Sequence, residues 1–203
     1  MGEMVYVITM SAVAVSAITG VLEAGRKPMD LFGVVLVALT SALGGGTLRD
    51  LLLARPVFWV ADQTYLVAAI AAGVATFVLV RLARLPANLF LVPDALGLAL
   101  FTILGTQVAM SYGAPWFVAS FLGVVTGVFG GVLRDILCNE VPLIFSGELY
   151  ATASWAGSVV FIALLHAGVA GSIASLLAMA AIFLTRIAAI HWHLTLPSFT
   201  ARA

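Results

Sequence analysis

Gly44-Gly45-Gly46-Thr47-Leu48-Arg49-Asp50-Leu51 and, 85 residues further on, Phe129-Gly130-Gly131-Val132-Leu133-Arg134-Asp135-Ile136 are two copies of one phrase in a chain that is otherwise almost entirely apolar. Each copy puts helix-weakening glycines and an Arg-Asp pair where lipid tolerates neither without a reason. Ionisable residues inside membrane segments mark functional sites, and glycine-interrupted helices at matching positions of two halves point to a substrate or ion route. The doubled phrase is therefore the candidate working part.

Composition sets the frame. Of 203 residues, 63% are hydrophobic and 9% charged, with mean hydropathy +1.18, whereas a soluble domain carries about 25% charged residues. The apolar runs are of helix length rather than the alternating ~10-residue segments of an outer-membrane barrel, so the fold class is an all-α integral membrane protein. Met1-Gly2-Glu3-Met4 lacks the positive start of a cleaved signal peptide, and the first apolar segment is expected to be retained. Nine basic and nine acidic residues cancel, which leaves no case for nucleic acid. No nucleotide-binding glycine loop, HExxH motif or Ser-His-Asp set at membrane depth is present, so no enzymatic activity or cofactor is expected. The single cysteine, Cys138, reads as structural.

Runs of about 17 to 25 apolar residues bounded by charges, Pro and Gly predict seven spans, at about 4–22, 31–54, 64–82, 94–111, 115–138, 149–167 and 170–190. The whole chain, 1–203, then forms one membrane domain, with no polar segment long enough for a soluble one. Basic residues orient it: Arg26, Lys27, Arg81, Arg84, Arg186 and Arg202 fall on one side and only Arg55 on the other, which predicts the N-terminus outside and the C-terminus in the cytoplasm. Trp59, Trp116 and Trp192 fall at span ends, as interfacial tryptophans do, and Trp155 falls within a span, where packing is expected.

The 85-residue offset extends beyond the phrase, matching Gly20 with Gly105 and Phe32 with Phe117, while Pro56 and Pro142 align only with one inserted residue. A unit of three spans is odd, so the second copy crosses the membrane in the opposite sense. Two inverted three-helix repeats follow, about 4–82 and 94–167, with an unpartnered accessory helix at about 170–190. Consecutive glycines, each about 1 kcal/mol poorer than alanine in a helix, predict a local break or kink at Gly44, Gly45, Gly46, Gly130 and Gly131, and their missing side chains let another backbone or an ion come close. Freed carbonyls at a break would suit a desolvated cation.

Arg49 and Asp50, like Arg134 and Asp135, are sequence neighbours about 100° apart on a helix, an arrangement that predicts no good mutual pair. Glu23, at the cytoplasmic end of the first span, is the expected partner of Arg134, and its repeat mate is Val108. Asp94 opens the fourth span and reads as a helix cap. Thr9, Ser11, Ser16, Thr40, Ser41, Thr102, Thr106, Gln107 and Thr126 are polar candidates for a hydrated path, against the ordinary habit of such side chains of bonding their own helix. His191 and His193 sit two apart and do not make a metal site.

The doubled Gly-Gly-x-Leu-Arg-Asp phrase, the three-plus-three repeat and the unpaired last helix together resemble the prokaryotic members of the trimeric intracellular cation (TRIC) channel family, whose duplicated membrane domain is also labelled a glycine transporter domain. The resemblance implies a homotrimer in membrane lipid of a prokaryotic inner membrane, each protomer conducting monovalent cations, K⁺ or Na⁺, through a pore shaped by the glycine bends of the second and fifth spans. Phe129 stands where the first copy has Gly44, which implies a stiffer or narrower second bend. The only lysine is Lys27, so the lysine-rich voltage-sensing and lipid-binding features of the animal members do not carry over. Inverted repeats serve carriers equally well, and an alternating-access transporter of a small zwitterion such as glycine is the competing expectation.

Overall fold

The computed structural model describes residues 3–82 and 88–197, so Arg84 and Arg202 of the charge asymmetry lie outside the described residues. Among those described, eight α-helices follow one another: α1 (Glu3–Ala24), α2 (Leu31–Leu52), α3 (Phe58–Ala61), α4 (Thr64–Leu82), α5 (Leu91–Ser111), α6 (Trp116–Leu137), α7 (Ala151–His166) and α8 (Gly171–Trp192). One 3-10 turn, Leu143–Phe145, lies between α6 and α7. Six helices, α1, α2, α4, α5, α6 and α8, are long and apolar enough to cross a membrane, whereas α7, expected as a span over 149–167, has 16 residues. The short α3 was not foreseen.

Local chemistry explains the helix ends. The Asp30 carboxylate accepts the Gly33 N–H at 2.7 Å and caps α2. Pro93 sits in the first turn of α5, where its missing N–H has no helical partner to lose. α8 stops at His193 in the left-handed conformation, φ 51°.

Of the six long helices α5 is the most buried, with 67% of its apolar window covered, against 22% for α4, so α5 is central and α4 peripheral. One core lies among α1, α2 and α4 around Val13, Val21, Val37 and Ala69; another lies among α5 to α8 around Leu98, Ile103, Phe161 and Ile182. Large apolar side chains also cover the outside: Phe32 is 77% and Leu184 63% exposed. In water such a surface would aggregate; in lipid it is ordinary. Trp155, expected to be packed, is 39% exposed, with its indole N–H donated to Ser120 Oγ at 3.2 Å.

α2 and α6 run as continuous α-helices through both glycine clusters, so the helix is not interrupted at Gly44, Gly45, Gly46, Gly130 or Gly131. The balance of costs explains it. Glycine weakens a helix by about 1 kcal/mol relative to alanine, whereas an opened backbone hydrogen bond in hydrocarbon costs several kcal/mol per group. The glycines instead permit contact. A Cβ on Gly45 would overlap the carbonyl oxygen of Thr126, and a Cβ on Gly130 the carbonyl oxygen of Ser41. Advancing along one helix retreats along the other, so α2 and α6 cross antiparallel, and an 85-residue shift exchanges the two contacts.

Candidate functional site

Each copy of the phrase ends its helix in the same way. Leu53 N–H bonds Arg49 O at 3.0 Å and Cys138 N–H bonds Arg134 O at 2.9 Å; Arg55 N–H reaches Asp50 O at 3.0 Å and Glu140 N–H reaches Asp135 O at 2.8 Å. Between them Ala54 and Asn139 take left-handed φ of 49° and 54°. The aspartates then hold the returning chain. Asp50 Oδ2 accepts the Phe58 N–H at 2.8 Å, and Asp135 Oδ2 accepts the Leu143 N–H at 3.0 Å. All these pairs keep the 85-residue offset, so the residue inserted to align Pro56 with Pro142 is not needed: Val57 and Pro142 are the matching extended residues before each turn.

The neighbouring arginines and aspartates do pair, which corrects the helical-wheel expectation. Arg49 Nε donates to Asp50 Oδ1 at 2.8 Å, and Arg134 Nε to Asp135 Oδ1 at 2.8 Å. A 100° offset separates the Cβ directions, but the long arginine stem wraps along the helix surface to meet the shorter carboxylate. All four side chains are buried, near helix C-termini where a cation is favoured.

A second correction concerns Arg134. Its Nη1 donates to Asp94 Oδ1, not to Glu23, and Glu23 instead accepts from Arg26 Nη1 at 2.9 Å. Arg26, three residues on in the turn that follows α1, is the nearer partner for Glu23. Asp94, read from sequence as a cap, is a buried counter-charge, and the signal that could have exposed it was its repeat mate Thr9: only one copy carries a carboxylate at this position. Neither an Arg49–Asp135 nor an Arg134–Asp50 bridge is among the ion pairs of the described residues. The two clusters lie about 7 residues beyond the crossing in opposite directions, about 20 Å apart at 1.5 Å per residue.

The scaffold is thus duplicated and the chemistry is not. Lys27 pairs with Glu140 at 2.7 Å across the second cluster, where the matching positions of the first carry Tyr112 with the Arg55 guanidinium 4.7 Å from its ring centre. The Lys27 ammonium holds the Glu140 carboxyl below the usual carboxylate range. Tyr65 and Tyr150 are also mates, each buried beside its cluster. Around Asp50 stand Arg49 and, at 3.6 Å, Arg55, two cations to one carboxylate. Around Arg134 stand Asp94, Asp135, Glu23 and Glu140, with Arg26 and Lys27, four carboxylates to three cations.

The remaining expected residues fall elsewhere. Gly44 and Phe129 line an apolar groove of about 350 Å³ with Leu43, Leu48 and Leu133, into which none of the charged side chains of either cluster enters. Gly46 faces the Phe58 ring, and Gly131 the Tyr150 hydroxyl. Thr9, Ser11, Thr40, Thr106 and Thr126 donate to carbonyls of their own helices. Cys138, the residue just past the end of α6, is buried, and burial pushes its thiol up, which disfavours the nucleophilic thiolate. Among the described residues no group of His, Cys, Asp and Glu is arranged to hold a metal ion.

The geometry can now be set beside known proteins. The glycine transporter family model matches residues 6–81 and 91–166, two stretches with the same 85-residue offset. The UPF0126 inner membrane protein YadS of Escherichia coli K12 is 44% identical over 199 residues, covering 97% of this chain and 96% of that protein. The TRIC trimeric intracellular cation channel orthologue from Rhodobacter sphaeroides superposes with TM-score 0.90 at 38% identity, covering 95% of this chain and 100% of that one. The chain belongs to the trimeric intracellular cation channel family. Another prokaryotic TRIC channel, 27% identical, superposes with TM-score 0.89 over 97% of this chain. For this TRIC-family chain the family was legible in the doubled phrase, while the partners of its charges were not.

Proposed function

We propose that the protein is a passive monovalent cation channel, conducting K⁺ or Na⁺ in a prokaryotic inner membrane as a homotrimer with one pore per protomer. The observation that carries this reading is the likeness over 95% of the chain, at 38% identity, to the cation channel orthologue of Rhodobacter sphaeroides. In this reading the whole chain is one membrane domain of two inverted three-helix repeats, α1, α2, α4 and α5, α6, α7, with α8 as brace. The antiparallel exchange of contacts between Gly45 and Gly130 supports the inversion. α7 is the seventh span: its 16 residues extend about 24 Å, a little short of a hydrocarbon core of about 30 Å. The pore follows the α2–α6 crossing, with the carboxylate-rich cluster at one mouth attracting cations.

Single-channel recording of the purified protein in a planar bilayer tests the reading. Discrete steps whose reversal potential follows a K⁺ or Na⁺ gradient are expected. Saturable glycine counterflow without steps would replace the channel by the carrier that the family model's description allows.

Orientation is a separate expectation. With Cys138 replaced by serine, Gln63→Cys is expected to react with an impermeant thiol reagent applied to intact cells, and Arg84→Cys only after lysis. Labelling of Arg84→Cys from outside would invert the topology.

A further inference from the structure

A cavity of about 170 Å³ lies against the end of α2, lined by Arg49, Arg55, Phe58, Tyr65, Thr9 and Val108 among others. We propose that this cavity binds a small monovalent anion, a halide or a short carboxylate, on the guanidinium groups of Arg55 and Arg49.

Three observations carry the assignment. Charge comes first: two guanidiniums surround the single carboxylate of Asp50, and that carboxylate is already engaged by Arg49 on one oxygen and the Phe58 N–H on the other. Donor capacity comes second. Arg55 Nε, 3.6 Å from Asp50 Oδ1 and too far for a hydrogen bond, and Arg55 Nη1 are both buried without a hydrogen-bond partner among the described residues, on a side chain that is 13% exposed. A buried guanidinium with idle donors is costly unless an acceptor reaches it. Comparison between the copies comes third. At four positions where the second cluster has Asp94, Glu140, Glu23 and Lys27, the first has Thr9, Arg55, Val108 and Tyr112. The second cluster supplies its arginine with carboxylates from the chain itself; the first leaves that role open on the same backbone frame.

Among the described residues the one other carboxylate lining the cavity is Asp62, and it is turned to the N–H and hydroxyl of Thr64 at 2.9 and 2.6 Å. The apolar walls of Phe58, Val108 and Leu104 strengthen the attraction for an anion by lowering the local dielectric. The volume admits a halide or a carboxylate of a few heavy atoms. A bound anion would offset the positive excess that otherwise faces permeating cations, but its binding stands whether the protein is a channel or a carrier.

The test uses full-length protein in neutral detergent at constant ionic strength, with bulky gluconate replaced stepwise by chloride or formate as the potassium salt. Thermal midpoints are expected to rise by a few degrees with either ion, in proportion to the logarithm of its concentration once that exceeds the dissociation constant, because a ligand that binds only the folded state stabilises it by mass action. Sodium in place of potassium is expected to leave the curve unchanged. Arg55→Gln should abolish the rise, Arg55→Lys should retain it at higher anion concentration, and Arg81→Gln, at the far end of α4, should keep the wild-type curve. Thr9→Asp imports the carboxylate of the other copy; it should raise the anion-free midpoint and remove the anion response, so it reads the site even if Arg55→Gln folds poorly. Chloride-35 line broadening on the wild type, relieved by formate, should report the same site directly. A midpoint independent of the anion in the wild type, or an equal rise in Arg55→Gln and Thr9→Asp, would overturn the proposal. No flux is measured, so its failure is distinct from failure of the channel reading.

Discussion

Gly45→Ala and Gly130→Ala are each expected to lower the thermal midpoint by several degrees and to reduce cation flux severalfold, although alanine is the better helix former. Two effects oppose each other. Alanine gains about 1 kcal/mol of helix propensity over glycine, and overpacking a tight contact costs about 1 to 3 kcal/mol, occasionally more. Here the second wins, because the atom met by the new Cβ is a backbone carbonyl, Thr126 O or Ser41 O, which cannot rotate away. The helices must separate instead. With about 2 to 4 °C lost per kcal/mol in a chain of this size, a net loss of about 1 to 2 kcal/mol, the upper half of the difference because the backbone carbonyl cannot yield, gives the expected drop.

Gly46→Ala is the control. Its Cβ would meet the Phe58 ring, a side chain, so Phe58→Leu should restore Gly46→Ala while no side-chain truncation restores Gly45→Ala. Differential scanning fluorimetry on the purified variants, read beside flux in vesicles, checks both. An unchanged midpoint and unchanged flux in Gly45→Ala and Gly130→Ala would mean that α2 and α6 do not approach so closely in the membrane.

The fold was largely legible because membrane burial imposes helix length and apolarity segment by segment: α1, α2, α4, α5, α6 and α8 begin and end within a few residues of the expected spans. The doubled phrase was legible because its residues are rare in lipid. Less was legible about what those residues touch. Gly45 and Gly130 signalled close approach and breakage alike, and only the positions of Thr126 and Ser41 decide between them. Arg134 signalled a need for a carboxylate, but Asp94 lies 40 residues away and its place at the start of α5 imitates a cap. Sequence spacing describes one helix well; a partner on another helix depends on how the helices cross. The internal repeat was the part of the sequence with information about that crossing, and comparing mates such as Thr9 with Asp94 or Arg55 with Glu140 recovers it.

That comparison makes the two arginines separable by experiment. Arg134→Ala is expected to leave Asp94 and Asp135 buried without their cation, a loss of about 3 to 5 kcal/mol when one partner of a buried pair is removed. Arg49→Ala should cost less, because Asp50 retains Arg55 at 3.6 Å and the Phe58 N–H at 2.8 Å, and because no second carboxylate is stranded. The partner assignment is tested by combining Arg134→Gln with Asp94→Asn. Each single change leaves one buried charge short of its mate; together they remove both charges of the pair, so the double variant should recover about 1 to 3 kcal/mol of the summed loss. Glu23→Gln combined with Arg134→Gln should be close to additive, since Glu23 is held by Arg26 at 2.9 Å and makes no direct bond to Arg134. Asp135 should not substitute for Asp94 in the cycle: its second oxygen anchors the Leu143 N–H, so Asp135→Asn also loosens the turn after α6. Thermal midpoints in detergent supply the four corners of each cycle. Coupling of Arg134 to Glu23 and not to Asp94 would mean that the buried pair rearranges in solution and that the cation of α6 is held from α1, and the asymmetry between the two clusters would then rest on Val108 and Glu23 rather than on Thr9 and Asp94.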